Sequence, residues 1–155
     1  MIYCIDTSAF IDAWREFSSD ILPDLWGHSI LASIHDGTMI SPEEVLSELT
    51  RGGDDLYRWA KSNGQLFLPP DDDVQNSVTR ILTDFPTVEH NADLFVIALA
   101  MAKGAIVVTH EKKRGYRTNP NAIPKIPDVC ERYGVQCITF SQLMHQKGWK
   151  FYVRT

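Results

Sequence analysis

Five acidic side chains stand where the chain finishes one element or begins the next: Asp6, Glu48, Asp93, Glu111 and Asp128. Asp6 directly follows the apolar run Ile2–Ile5, and Glu111 follows the apolar "AIVVT" with only His110 between. In an open α/β sheet, ligands sit beyond the carboxyl ends of the strands, so these two acids belong to one edge. Asp93 heads the apolar stretch "LFVIALA", Glu48 lies late in "SPEEVLSE", and Asp128 opens "DVCERYG". Carboxylates gathered without Cys or His partners favour hard divalent ions, Mg²⁺ or Mn²⁺. Such ions retain waters and accept phosphate oxygens, and the chemistry they suit is phosphodiester hydrolysis.

Each acid also has a plain structural explanation. Asp93 and Asp128 are first-turn acids, favoured there by the helix dipole. Glu48 stands three residues before Arg51, at ion-pair spacing. Glu44 has a task of its own, a capping box with Ser41, which leaves Glu48 as the acid of that helix without one. Asp12, Asp20, Asp24 and the run Asp71–Asp73 read as solvated charges or helix starts. His28, His35, His90 and His145 show no ligand spacing, whereas His110 lies between two candidate residues. Lys112, Lys113, Arg114 and Arg117 follow Glu111 immediately and could oppose a phosphate backbone. A solvated loop explains them nearly as well.

The elements that must position these residues alternate. A strand over Ile2–Ile5 leads to a helix with Phe10, Ala13, Trp14 and Phe17 at helical spacing. A second strand is expected over Thr38–Ser41, then a helix with Ser41 as N-cap, Pro42 at its first position and Gly52-Gly53 as its stop. Helices follow over Asp54–Ser62 and Val74–Phe85, with the short apolar Leu66–Leu68 between them. The run from Asp93 is apolar almost all round, so it is a buried helix, and Gly104 ends it. Ala105–Thr109 is a central strand. A polar loop, a short helix ended by Gly134, the strand "QCIT" and a last helix complete the chain. This alternation predicts a three-layer α/β/α sandwich around a mainly parallel sheet, as a single domain over residues 1–155.

Bulk composition narrows the classes. With 15 basic and 20 acidic residues the net charge is −5, so bulk electrostatics do not announce a nucleic-acid binder. No apolar run approaches the roughly 20 residues of a membrane helix. The three cysteines lack Cys-x-x-Cys spacing, against zinc and against a disulfide framework. Reduced thiols in a cytoplasmic protein are the expectation. "DTS" lacks the Asp-x-Asp of haloacid-dehalogenase-type phosphatases, and Asp6 lacks the acidic neighbour of a receiver phosphoacceptor.

Taken together, the motifs resemble the PIN-domain superfamily, which includes the toxin ribonucleases of toxin–antitoxin pairs. "YCIDTSAFID" is similar to the opening strand of that family and matches at Asp6 and Thr7. "ISPEEVLSELTRG" resembles its second-acid helix at Glu48, and "ADLFVIALA" its third motif at Asp93. "IVVTHE" matches its strand-end segment at Thr109 and Glu111, with Glu in place of Asp, and "PDVCERYGVQCIT" matches its closing stretch at Asp128. The resemblance implies a Mg²⁺- or Mn²⁺-dependent endoribonuclease. Asp6 and Asp93 would be the principal metal ligands, with Glu48 and Asp128 or Glu111 completing the site. Thr7 or Thr109 would hydrogen-bond the ligating carboxylates. It further implies an RNA substrate, an antitoxin partner for toxin members, and a homodimer. A degenerate PIN-like module that binds RNA or a protein partner is the alternative.

Overall fold

A computed structural model describes residues 1–113, 119 and 121–154. Arg114 and Arg117, two of the four basic residues after Glu111, lie outside that set. The strands are β1 (Tyr3–Ile5), β2 (Met39–Pro42), β3 (Phe67–Leu68), β4 (Ile106–Val108) and β5 (Cys137–Ile138). All pairings are parallel, in the order β3-β2-β1-β4-β5. The first strand in sequence is therefore the central one, paired with β2 at Tyr3↔Met39 and with β4 at Ile5↔Val108. The chain reverses its direction of travel across the sheet between β1 and β4. That crevice is the topological switch point, where loops from adjacent strands part and leave room for a ligand.

Among the described residues there are eight α-helices: α1 (Thr7–Glu16), α2 (Ile30–His35), α3 (Glu43–Glu48), α4 (Asp54–Ser62), α5 (Asp72–Asp84), α6 (Ala92–Lys103), α7 (Ile126–Arg132) and α8 (Phe140–Lys147). Helices α5, α6 and α7 pack together on one side, where the Cys4 thiol meets the Val96 carbonyl at 3.5 Å. α6 is the buried helix expected from its composition: Leu94 and Val96–Ala100 are all buried. Gly104 ends it in the left-handed region, φ 64°, where a side chain would be strained.

On the other side, α1 packs against α3 and α8 over an aromatic layer. Trp26 is its hub, with ring centroids 4.7 Å from Trp14 and 5.1 Å from Trp59, both edge-on. Edge-to-face contact sets the positive rim of one ring against the negative face of another. Trp26 Nε1 donates to the Phe17 carbonyl at 2.6 Å and Trp59 Nε1 to the Trp26 carbonyl at 3.2 Å.

Two expectations are corrected. Ser41 does not cap α3. It remains in strand register with Phe67, is wholly buried, and donates its hydroxyl to the Ile5 carbonyl at 2.7 Å. A serine inside a sheet finds its acceptor on the neighbouring strand, so the capping box with Glu44 does not form. The helix also stops at Glu48, and a 3₁₀ turn, Leu49–Gly52, carries the chain to Gly53. Finally, the stretch containing the π-helical turn Leu25–Ser29 and α2 has no counterpart in the sequence reading. Gly27, His28 and Ser29 interrupt its apolar spacing, and its identity as a helix comes from packing Trp26, Ile30 and Ile34 into the core.

Candidate metal centre

Asp6 is the residue after β1, and its backbone N–H donates to the Val108 carbonyl at 2.9 Å. The strand pairing thus continues one residue past β1 and fixes Asp6 over the β1–β4 crevice. Its side chain is 1% exposed. Oδ2 accepts two hydroxyls, from Ser8 at 2.7 Å and Thr109 at 2.8 Å. Oδ1 is buried with no partner among the described residues. Burial pushes the Asp6 carboxyl above its usual range, the two hydroxyls pull it back, and nearby Glu111 adds to the rise.

Asp93 arrives from α6. Asn91 caps this helix, its side chain accepting from the Asp93 N–H at 3.0 Å, which sets the acid one residue inside the first turn. Glu111 arrives from the end of β4 and accepts from the Ile126 N–H at 3.1 Å. One carboxylate oxygen from each of Asp6, Asp93 and Glu111 lies within 4.8 Å of the others. At such spacing three charges cannot all be retained without a counter-ion. The Asp93 carboxyl is accordingly pushed up to about 8, by desolvation first, then by the charges of Asp6 and Glu111 and a hydrogen bond shared with Glu111. Without a cation the cluster holds a proton in its place.

The remaining candidates are engaged elsewhere. Glu48 is 19% exposed at its side chain and pairs with Arg51 at 2.9 Å, the i,i+3 contact anticipated for it. It also accepts from the Thr7 hydroxyl at 2.9 Å and the Ala92 N–H at 3.4 Å, so it ties α3 to the first turns of α1 and α6. Asp128 accepts from the Lys125 N–H at 2.9 Å and stands outside the group of three, closing the first turn of α7. Glu44 lies among Pro42, Leu68 and Phe95, with its Oε2 buried and without a hydrogen-bond partner among the described residues. Lys112 is exposed and Lys113 pairs with Glu131 at 3.0 Å.

Thr109 joins two of the three clustered acids. Its hydroxyl donates to Asp6 and accepts from the Glu111 N–H at 3.1 Å. Thr7, by contrast, serves Glu48. Two participants escaped the sequence reading. Ser8 holds Asp6 and accepts from the His110 N–H at 3.0 Å. Asp12 meets His110 Nδ1 at 2.7 Å, while His110 Nε2 accepts from the Phe140 N–H at 3.3 Å. That pattern puts the imidazole proton on Nδ1 and leaves neither ring nitrogen for a ligand. The "DTS" triplet, a hydroxyl two residues after a strand-end acid, was the available signal for Ser8. Nothing local marks Asp12, because its partner is 98 residues away.

The site fits a hard divalent cation. Its donors are all carboxylate oxygens, one of them is a buried orphan, and three protein ligands leave positions for waters, as Mg²⁺ prefers. Among the described residues no helix is long and apolar enough to cross a membrane.

Comparison with known proteins agrees with this architecture. The chain is similar to a solved structure, VapBC2 from Rickettsia felis bound to a DNA fragment from their promoter. The likeness has a TM-score of 0.52 at 16% identity, covering 90% of this chain and 98% of that one. It bears out a PIN-like α/β fold. No curated protein matches the sequence. Residues 3–151, nearly the whole chain, match the model of a family described as "Domain of unknown function (DUF4411)", and the protein belongs to that family.

Proposed function

We propose that the chain is a divalent-metal-dependent endoribonuclease, formed as one PIN-like domain over residues 1–155. The observation that carries this reading is the trio Asp6, Asp93 and Glu111, converging within 4.8 Å at the switch point with Asp6 Oδ1 unpartnered. Mg²⁺ or Mn²⁺ held by these three would supply an activated water and neutralise charge developing on a phosphodiester.

The chain's own residues supply the rest. Ser8 and Thr109 occupy Asp6 Oδ2 and so direct Oδ1 toward the centre. The Ile126 N–H orients Glu111 from behind. The proton that Asp93 holds, hydrogen-bonded to Glu111, must leave when a cation enters. Glu48 acts at one remove, through Thr7 and Ala92, by locating the first turns of the two helices that bring Asp6 and Asp93 together. Asp128 acts through α7, whose first N–H holds Glu111. Lys112 and Lys113 stand at the mouth of the loop and are the described basic groups for an RNA backbone. The likeness to VapBC2 supports a protein antitoxin as partner, and a cytoplasmic homodimer completes the reading.

Calorimetric titration with Mn²⁺, followed by RNA cleavage assays, tests it on wild type, Asp6→Asn and Asp93→Asn. Binding and metal-dependent cleavage are expected in wild type only, with unchanged circular dichroism in all three. Full cleavage by both variants would sink the assignment. So would a wild type that binds RNA but takes up no Mn²⁺ at millimolar concentration.

A further inference from the structure

The chain leaves the sheet at Thr109, whose N–H donates to the Ile138 carbonyl at 3.0 Å. Glu111 stands two residues further on, in a stretch, 109–113, that is neither helix nor strand. A metal ligand carried past the end of its strand needs other restraints to hold it to within roughly 0.5 Å. His110, the residue between, supplies them at three points.

Two of the points come from one helix. Ser8 and Asp12 are four residues apart on α1 and so share a face. Ser8 Oγ accepts the His110 backbone N–H at 3.0 Å, and Asp12 Oδ2 accepts from Nδ1 at 2.7 Å. The third comes from α8. Thr139 caps that helix through the Gln142 N–H, which leaves the N–H of Phe140, at the first helical position, without an intrahelical acceptor. His110 Nε2 takes it at 3.3 Å. Phe140 is wholly buried and stacks on Trp26, with ring centroids 6.4 Å apart, so the core fixes this anchor. One imidazole thus joins α1, the end of β4 and α8, with its plane set through both nitrogens.

The structure assigns His110 as a positioning residue of the metal centre, acting as a unit with Asp12: it fixes the turn that aims Thr109 and Glu111 at Asp6. The assignment rests on the reading of Asp6, Asp93 and Glu111 as cation ligands. A clamp that served stability alone would behave differently. Asp12 is 38% exposed at its side chain, and a contact that open contributes little to folding. Its worth lies in orientation.

The test is calorimetric Mn²⁺ titration of the full chain, at a temperature where circular dichroism shows every variant folded, so that stability does not enter the affinity. Asp12→Ala and His110→Ala are each expected to weaken Mn²⁺ binding roughly tenfold, and the double variant no further. Asp12→Asn loses the charge but keeps an acceptor oxygen for Nδ1, and is expected to bind as wild type does. Wild-type affinity in Asp12→Ala overturns the proposal, since the clamp would then be structural only. Asp12→Asn as weak as Asp12→Ala overturns it too, because the carboxylate would act through its field and not through position. Should His110→Ala fail to fold, the two Asp12 variants decide. A wild type that takes up no Mn²⁺ overturns the metal reading and this proposal with it, whereas variants that match a binding wild type overturn this proposal alone.

Discussion

The aromatic layer and the acidic centre lie near the same sheet and obey opposite rules. Around Trp26 the polar groups find partners: the Trp26 and Trp59 indole N–H groups meet carbonyls, and the Trp14 and Trp59 rings meet Trp26 edge to face. Around Asp6 a buried oxygen is left without a partner and three carboxylates crowd together. The first region contributes stability. The second consumes it, and a buried arrangement that costs stability and could be relieved by one cation is the mark of a binding site rather than of a core.

The comparison can be broken from either end. Trp26→Ala removes the hub of the layer and is expected to cost roughly 3–5 kcal/mol, measured by denaturant unfolding. A loss well below that would mean the layer is not a packed core.

Asp93→Asn should do the reverse. In chelator at alkaline pH it is expected to stabilise the protein, on the order of 2 kcal/mol, because it removes a crowded charge. The sign follows from the direction of the shift. The carboxyl is raised in the folded state to about 8, so the stability it contributes is complete below the unfolded value near ~4 and disappears as pH rises through about 8. Wild type should therefore lose melting temperature across that window, more steeply than Asp93→Asn, and regain it on adding Mn²⁺. Parallel pH slopes in the two proteins would contradict the crowding.

The smallest effect sharpens the boundary of the site. Asp128→Ala should cost about 1 kcal/mol, the worth of a helix-end hydrogen bond, with Mn²⁺ affinity retained. Lost affinity would move Asp128 from the helix end into the centre.

The strand order explains how much of this was legible. Apolar runs ending in Asp6 and Thr109-His110-Glu111 are local patterns, and parallel strands bring their ends to one edge whatever lies between. The cap of α6 and its Gly104 stop are likewise local. What escaped depends on distant partners. Ser41 looks like an N-cap until β1 offers it the Ile5 carbonyl, and Asp12 looks solvated until His110 arrives. Glu48 pairs with Arg51 as its spacing announced, while its inward contacts to the Thr7 hydroxyl and the Ala92 N–H depend on distant partners.

The central place of β1 has a consequence for synthesis. Half of its hydrogen-bonding edge waits for β4, which is synthesised about a hundred residues later. A nascent chain that has already extruded Asp6, Glu48 and Asp93 still lacks Thr109, Glu111 and the strand that carries them to Asp6. The acids are kept apart until β4 has been made. A product that stops before β4 therefore has Asp6 and Asp93 but no centre.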